Sequence, residues 1–436
     1  MIPAVCGFAQ IAILTKAFGA TGYGQYAYVV ALAAVVNVIA FQWIPKAVAR
    51  FGAEEIGKRY LTVLARIQTA VSLLCIAIAG ALTLATDSST YVLVALVCAS
   101  DATKECTLEM SRANQDRVRY GRVSNLSSIA QLFSCAAVVY FGGGIKAVFL
   151  GYAISGLLVT LPLWIRNALP ARETPAMKHV LSYSFALAWS GGVGQIAFSG
   201  VRIFIGRWHG DHMLGIYSAL YDIVQRSIVA YMQVVNTAAF PMMRKYWDEG
   251  RVKELGIAAQ ENILLLTVPS LWLLALLAGS MRYWISHLNI RGDLEEFAML
   301  LTAVGIGIVA NRVRTFHFDS FLLLRGRAAA VLRNTLVSTI FLVGVLIIFG
   351  RDMSLLAIGS AVAASYLLGL TMSVLSLIRY SRLPGVNATY MSNICVCLAL
   401  ALMATKYDVH ILWVLTEIGL ISISATLALR ETLILL

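Results

Sequence analysis

Residues 19–26 read GATGYGQY, and residues 210–217 read GDHMLGIY. Both octapeptides fit the pattern G-x4-G-x-Y, at an offset of 191 residues. Glycine permits a positive φ angle or a close backbone approach. Each octapeptide therefore predicts a tight turn, which we place on the outer side of the membrane that the composition indicates below. Tyrosine suits the membrane interface. The matched positions of this repeat motif are Gly19, Gly24 and Tyr26 in the first copy, and Gly210, Gly215 and Tyr217 in the second.

Further motifs recur in the same order after each octapeptide. The first copy continues to Ile44-Pro45-Lys46, and the second to Phe240-Pro241 followed by basic residues. Later, Arg117-x-Arg119 recurs as Arg325-x-Arg327 at an offset of 208. This order predicts a parallel repeat of six spans against six, related by an axis along the membrane normal. We expect two six-helix lobes around a central cavity, working by alternating access.

The composition indicates an all-α polytopic membrane protein. Of 436 residues, 59% are hydrophobic and 13% are charged, and the mean hydropathy is +0.79; a soluble domain carries about 25% charged residues. Because a spanning helix needs about 20 apolar residues, we predict fourteen transmembrane helices. They lie near 1–16, 26–45, 61–85, 91–110, 121–141, 145–165, 183–206, 215–240, 257–280, 295–316, 328–349, 354–378, 390–405 and 410–428.

These spans predict three parts. The N-lobe covers 1–178, the C-lobe covers 179–382, and a C-terminal helix pair covers 383–436. The thirteenth span is short and could be re-entrant. The first span begins at Met1 without a basic flank, so we expect the native start to lie upstream.

The distribution of Lys and Arg predicts the orientation. Alternate loops hold 25 of the 34 basic residues, and the other loops hold 7. Since basic residues are retained in cytoplasmic loops, we expect both termini in the cytoplasm. The net charge of +12 therefore does not indicate nucleic acid binding.

No pattern of a catalytic or metal site appears. The seven cysteines and six histidines lack metal-ligand spacing, and there is no P-loop or nucleophile elbow. We expect neither enzymatic activity nor a cofactor, and transport energy from an ion gradient, the membrane potential or substrate flow.

Several stretches resemble a known family. They are residues 15–51 (TKAFGATGYGQYAYVVALAAVVNVIAFQWIPKAVARF), 113–126 (ANQDRVRYGRVSNL), 202–225 (RIFIGRWHGDHMLGIYSALYDIVQ) and 238–255 (AAFPMMRKYWDEGRVKEL). The chain resembles the Wzx-type O-antigen and exopolysaccharide flippases of the MATE-like multidrug/oligosaccharidyl-lipid/polysaccharide (MOP) superfamily. The resemblance implies translocation of an undecaprenyl-diphosphate-linked oligosaccharide across the bacterial inner membrane. It also implies membrane lipids and polysaccharide polymerase or export machinery as partners. Family members often carry an Asp-Arg pair in span 7, where this chain has Val201-Arg202.

Charged residues inside spans are costly and need a reason. Arg202 in span 7 and Arg226 in span 8 could line a cationic cavity for the diphosphate, because guanidinium binds phosphate oxygens bidentately. Asp222 is four residues before Arg226, so an α-helix would place both on one face. The alternative is a structural network in which Asp222 neutralises an arginine.

Other charges lie near the inner ends of spans. Lys46, Arg50, Arg66 and Arg314 could capture an anionic substrate, or could be positive-inside anchors. Asp101, Glu105 and Glu109 step by four along span 4, and Asp319 occupies the matching region of the second lobe. They could couple transport to an ion, or be solvated helix ends. Asn37, Gln42 and Gln195, among other polar residues in the spans, suit sugar hydroxyls or interhelical hydrogen bonds.

Two alternatives to the sugar-lipid flippase stay open within the superfamily: a cation-coupled multidrug or small-molecule antiporter, and a peptidoglycan-precursor flippase. A membrane enzyme is disfavoured, because no loop exceeds roughly 20 residues and such enzymes place their polar machinery on large loops. A scaffold role would leave the intramembrane arginines unexplained.

Overall fold

The computed structural model describes residues 2–51, 57–114, 116–167, 178–288 and 293–380, and every regular element within these ranges is helical. The chain divides into two compact units, Met1–Ala219 and Leu220–Leu436. The predicted lobe boundary at 178/179 remains a prediction.

The first unit contains α1 to α7 and the start of α8. Within it, α1 packs on α4, α5 and α7, and the short α2 packs on α3, α4 and α7. The helices are α1 (Ile2–Ala40), α2 (Trp43–Phe51), α3 (Gly57–Thr86), α4 (Thr90–Ala113), α5 (Arg117–Tyr140), α6 (Ile145–Asn167), α7 (Lys178–Trp208) and α8 (Gly210–Val224).

Within its described residues, the second unit contains the end of α8 and seven further α-helices. A π-helical turn, Gln225–Val229, joins α8 to α9, and a second, Arg314–Phe318, joins α12 to α13. The helices are α9 (Ala230–Asp248), α10 (Val252–Gly279), α11 (Met281–Leu288), α12 (Leu294–Val313), α13 (Asp319–Leu324), α14 (Ala328–Phe349) and α15 (Leu355–Tyr380).

The first two predicted spans both lie within α1, which consists of two helices joined by a kink at Gly19. At 1.5 Å per residue, the helical parts of α1 before and after Gly19 are about 26 Å and about 32 Å long, each close to the hydrocarbon thickness of roughly 30 Å. The helical geometry is interrupted at Gly19, where φ is 66° and ψ is −172°. The predicted loop at 17–25 is therefore a single non-helical glycine, and α1 is long enough for both crossings.

Exposed apolar side chains confirm a membrane protein. Leu73, Leu74 and Ile78 on α3, and Ile340 and Ile347 on α14, are each more than half exposed. Such surfaces would promote aggregation in water but are matched by lipid chains.

Among the residues that the structure describes, eight helices are long and apolar enough to cross a membrane. The predicted count of fourteen spans is not confirmed. The last two predicted spans, 390–405 and 410–428, lie outside the described residues, and α4 falls outside the set of eight. Its middle turns carry Asp101, Lys104 and Glu105. The eight are Ile2–Ala40, Leu61–Thr86, Arg117–Tyr140, Ile145–Pro162, Val252–Gly279, Leu294–Leu324, Ala328–Phe349 and Leu355–Arg379.

The two copies of the repeat motif contact each other inside the first unit. A Cβ atom on Gly24 would overlap the carbonyl oxygen of Asp211, and one on Gly215 would overlap that of Ala20. These four residues are two pairs at the repeat offset of 191. The second glycine of each copy is therefore needed for close backbone approach.

The first glycine and the tyrosine of each copy have different roles. Gly19 and Gly210 adopt positive φ angles of 66° and 82°, which glycine adopts without a steric cost. Both tyrosines pack inside the protein, and their placement at the membrane interface stays a prediction. Tyr217 is fully buried, and the nearly buried Tyr26 stacks on Phe149 with ring centroids 5.2 Å apart.

Candidate functional site

A polar cavity of about 380 Å³ lies inside the first unit, between α1, α2, α4 and α7. Its volume falls within the range of about 300–1,000 Å³ that is typical of small-molecule sites. The polar lining consists of Asn37, Gln42, Lys46, Asp101, Glu105 and Gln195. The remaining lining residues are small or aliphatic: Val30, Ala33, Ala34, Val38 and Gly192.

Two carboxyl groups dominate this cavity. Asp101 and Glu105 are one turn apart on α4, and each accepts a hydrogen bond from a side chain that is distant in sequence. Tyr152 on α6 donates its hydroxyl proton to Asp101 Oδ1 over 3.0 Å. Gln42 donates from Nε2 to Glu105 Oε2, also over 3.0 Å. The predicted acidic stripe is thus partly inside the protein, and not entirely a solvated helix end.

A break between α1 and α2 positions the amide and the cation of the cavity. The N–H groups of Phe41 and Gln42 both donate to the carbonyl of Asn37, at 2.8 and 3.0 Å. The chain then restarts as α2, with Pro45 in its first turn, where proline is tolerated. Gln42 and Lys46 consequently reach the same cavity, and Lys46 shares it with the two carboxyl groups.

Close contact between α1 and α7 closes one wall of the cavity. A Cβ atom on Gly192 would overlap the Cγ1 methyl of Val38. Small residues allow such approaches between membrane helices. Gln195, one turn after Gly192, then faces the cavity.

Arg202 lies on α7 and is 6% exposed. Its guanidinium carbon is 5.3 Å from the ring centroid of Phe198, one turn earlier, which is a cation–π distance. Arg202 does not line the cavity described above. Its assignment to a diphosphate site stays a prediction.

In the second unit, Arg314 and Asp319 form a buried ion pair. Arg314 Nε lies 3.3 Å from Asp319 Oδ2, and both side chains are less than a tenth exposed. Ser373 on α15 donates to Asp319 Oδ1 over 2.7 Å, and Arg314 Nη2 donates to Thr335 on α14 over 3.4 Å. A Cβ atom on Gly369 would overlap Arg314 Nη1. The structure therefore places Arg314 in a packed network and not at an open inner surface.

The π-helical turn explains this pairing. Residues five apart are about 140° apart on an α-helix, which is too far for an ion pair. The wider π turn, with its i→i+5 hydrogen bonds, brings Arg314 and Asp319 together. The sequence analysis predicted neither the π-helical turn nor the residues that contact the ion pair, because no periodicity indicates them. These residues are Ser373, Thr335 and Gly369.

The other π-helical turn contains Arg226, the second residue of the predicted pair Asp222 and Arg226. Asp222 lies in the last turn of α8, whereas Arg226 lies within the π turn Gln225–Val229. The predicted shared face of Asp222 and Arg226 stays a prediction. Both side chains are half-buried.

The remaining predicted residues are dispersed. Arg66 on α3 is exposed. Glu109 pairs with Arg112 at 2.7 Å near the end of α4. Arg50 belongs to α2, and its side chain falls outside the described part of the structure. Of the predicted residues, the cavity in the first unit brings together Lys46, Asp101 and Glu105 with the polar residues Asn37, Gln42 and Gln195.

A comparison with protein families gives a match to a polysaccharide biosynthesis protein family over residues 13–282. This match covers more than half of the chain. The chain belongs to that family. No curated protein matches the chain.

Solved structures show that this family member has the fold of the MOP superfamily. The lipid II flippase MurJ in an inward closed conformation has a TM-score of 0.70 and 13% identity, covering 99% of this chain and 98% of MurJ. An inward-facing multidrug resistance MATE family transporter of the MOP superfamily has a TM-score of 0.63 and 13% identity, with 91% and 94% coverage. A MOP superfamily transporter from Pyrococcus furiosus has a TM-score of 0.58 and 13% identity, with 92% and 95% coverage. At these identities the likeness shows the fold alone.

Proposed function

We propose that the protein is a flippase that moves an undecaprenyl-diphosphate-linked oligosaccharide across the bacterial inner membrane for surface polysaccharide synthesis. The match to the polysaccharide biosynthesis family carries this proposal. A polar cavity between helices of the first unit supports it, since a sugar head group needs hydrogen-bonding partners while it crosses the hydrocarbon region.

The roles of the cationic residues follow from the chemistry of the substrate. A diphosphate presents only acceptors and negative charge, so it requires Lys46 or arginine side chains such as Arg202, Arg226 and Arg314. Lys46 is the strongest candidate, because it lines the polar cavity, whereas Arg314 is paired with Asp319. In this proposal, alternating access exposes the substrate site to each leaflet in turn, and both termini lie in the cytoplasm. Membrane lipids and the polymer-export machinery are the expected partners.

Deletion of the gene in its native host tests the proposal. We expect one complete repeat unit on a lipid diphosphate to accumulate, and mass spectrometry of extracted lipids detects it. Surface polymer should disappear and return with the intact gene. Unchanged polymer without accumulated lipid in a strain that lacks other flippases would contradict the proposal.

Complementation with substituted genes tests the cationic role. Arg202→Ala should fail to restore polymer although the protein is made and inserted. Arg207→Ala is the matched control, since Arg207 lies on the same helix and is exposed. If the two variants restore polymer equally, Arg202 does not bind the substrate.

The acidic lining of the cavity favours a second candidate, a cation-coupled antiporter for small molecules. Asp101 and Glu105 would attract a cationic compound. The deletion strain separates the two functions, because an antiporter mutant would become sensitive to cationic compounds without accumulating lipid-linked sugar. A peptidoglycan-precursor flippase would instead accumulate a lipid that carries a peptide.

A further inference from the structure

Regular helical hydrogen bonding is interrupted between α1 and α2. In a continuous helix the N–H of residue 45 would donate to the carbonyl of Phe41, but Pro45 has no N–H. Ile44 donates to that carbonyl instead, over 2.9 Å. The orientation of α2 therefore depends on its contacts with neighbouring helices, which are α3, α4 and α7.

A side-chain hydrogen bond ties this break to α4. Gln42 lies in the break and donates from Nε2 to Glu105 Oε2 over 3.0 Å. The two residues are 63 positions apart in the chain, so the bond joins separate elements of the first unit. An ionised acceptor makes such a bond stronger than one between two neutral groups. The bond therefore restrains the start of α2 against α4.

The restrained end of α2 is the end that carries Lys46. Lys46 follows Gln42 by four residues, and both side chains line the same cavity as Glu105. The Lys46 side chain is exposed, and a lysine ammonium sits on a flexible four-carbon stem. The place of its charge in the cavity is consequently set by where α2 holds its backbone.

We propose that Gln42 and Glu105 position Lys46 to bind the diphosphate of the substrate. This assignment rests on the proposed function and deepens it, since Lys46 is the leading cation for the diphosphate there. Gln42 is a positioning residue that acts through Lys46. Glu105 serves as the fixed acceptor on α4 that keeps Gln42, and with it the start of α2, in place.

The charges around Glu105 explain why a neutral amide suits position 42. The charged neighbours of Glu105 come from two helices: Asp101, Lys104 and Glu109 on α4, and Lys46 on α2. The lining from α1 and α7 is uncharged. An amide at position 42 satisfies Glu105 without competing with Lys46 for the diphosphate, as a basic residue would. A carboxylate at position 42 would repel Glu105 whenever both groups are ionised.

Binding of undecaprenyl diphosphate to purified full-length protein in detergent tests the positioning role. Gln42→Glu and wild-type protein are compared at about pH 5 and about pH 8.5, because two adjoining carboxyl groups share a proton in acid and repel when both are ionised. The variant should bind nearly as well as wild type at the lower pH. At the higher pH its dissociation constant should be roughly tenfold larger than that of wild type. The ratio of the two constants at each pH cancels the titration of the lipid itself.

Two double variants show whether the effect runs through the hydrogen bond and through Lys46. Gln42→Glu with Glu105→Gln exchanges the amide and the carboxylate, so it should restore binding at the higher pH. Gln42→Glu should add no further loss to Lys46→Ala, because Gln42 acts through Lys46. The matched control is Gln25→Glu, which changes an exposed residue of α1 outside the cavity and should give the same ratio at both pH values.

The outcomes separate the positioning role from the proposed function. A Gln42→Glu ratio that does not change with pH, or a full further loss on top of Lys46→Ala, would overturn the positioning role and leave the proposed flippase intact. Failure of wild-type protein to bind undecaprenyl diphosphate would overturn both. If gel filtration shows that Gln42→Glu does not fold, the exchanged double variant decides: binding weaker than that of wild type would overturn the positioning role.

Discussion

Gly24 and Gly215 occupy equivalent positions in the two repeat motifs, and each faces the backbone of the other motif. A Cβ atom on Gly24 would lie 3.0 Å from the backbone nitrogen of Gly215, and a Cβ atom on Gly215 would lie 3.0 Å from that of Gly24. The contact is therefore symmetric. It brings α1 and the start of α8 closer than any larger side chain would allow.

Gly24→Ala and Gly215→Ala should each destabilise the protein. The added methyl group meets backbone carbonyl atoms that cannot rotate away, and overpacking of this kind costs about 1–3 kcal/mol. The melting temperature of purified protein, followed by tryptophan fluorescence, measures the effect. Gly80→Ala on α3 is the control, because its new methyl group meets nothing within 4 Å. Equal melting temperatures for all three variants would contradict the tight contact.

The contact between Gly24 and Gly215 shows which features of the fold the sequence could predict. The octapeptides predicted a repeat and identified the glycines, because the spacing alone carries that information. The partner of each glycine came only from the structure, since 191 residues separate the two motifs. The packing of the tyrosines came from the structure for the same reason, since the sequence does not give the partner of an aromatic residue, such as Phe149 for Tyr26.

In the candidate site, too, the sequence predicted local patterns but not the contacts between distant residues. The four-residue steps on α4 predicted the carboxyl stripe of Asp101 and Glu105. Their donors, Tyr152 and Gln42, lie 51 and 63 residues away in the chain, and no local pattern joins them. The two π-helical turns were missed because hydrophobic periodicity assumes 3.6 residues per turn.

Asp319→Asn should destabilise the protein strongly by leaving Arg314 buried without its carboxylate. Breaking a buried ion pair in this way costs about 3–5 kcal/mol. Thermal unfolding of Asp319→Asn should therefore begin well below that of wild-type protein. The double variant Arg314→Met with Asp319→Leu should recover much of the loss, because it removes both charges together. If the double variant is no more stable than the single one, the pair is not the source of the effect.

Reporter fusions test the predicted orientation. Alkaline phosphatase fused after Gly142 should be active, since that loop lies outside the cytoplasm in the predicted topology, and a fusion after Asn114 should be inactive. Green fluorescent protein at the same two positions should give the reverse pattern, because it folds in the cytoplasm. The loop at Asn114 precedes Arg117, Arg119 and Arg122, which favours retention inside. Active phosphatase at Asn114 would invert the topology.

Lys46→Ala should abolish most surface polymer in the complemented deletion strain. Lys46 is the cation of the cavity in the first unit, and loss of a hydrogen bond to a charged partner costs about 1.5–3 kcal/mol, which corresponds to roughly a tenfold or larger loss of substrate affinity. Lys46→Arg should retain function, since it keeps the charge. Lys146→Ala is the matched control, because Lys146 is exposed at the start of α6. Polymer and lipid-linked intermediate are measured in the same cells, so that falling polymer with rising intermediate identifies a block in translocation. Normal polymer with Lys46→Ala would remove Lys46 from the substrate path and leave Arg202 as the leading cation for the diphosphate.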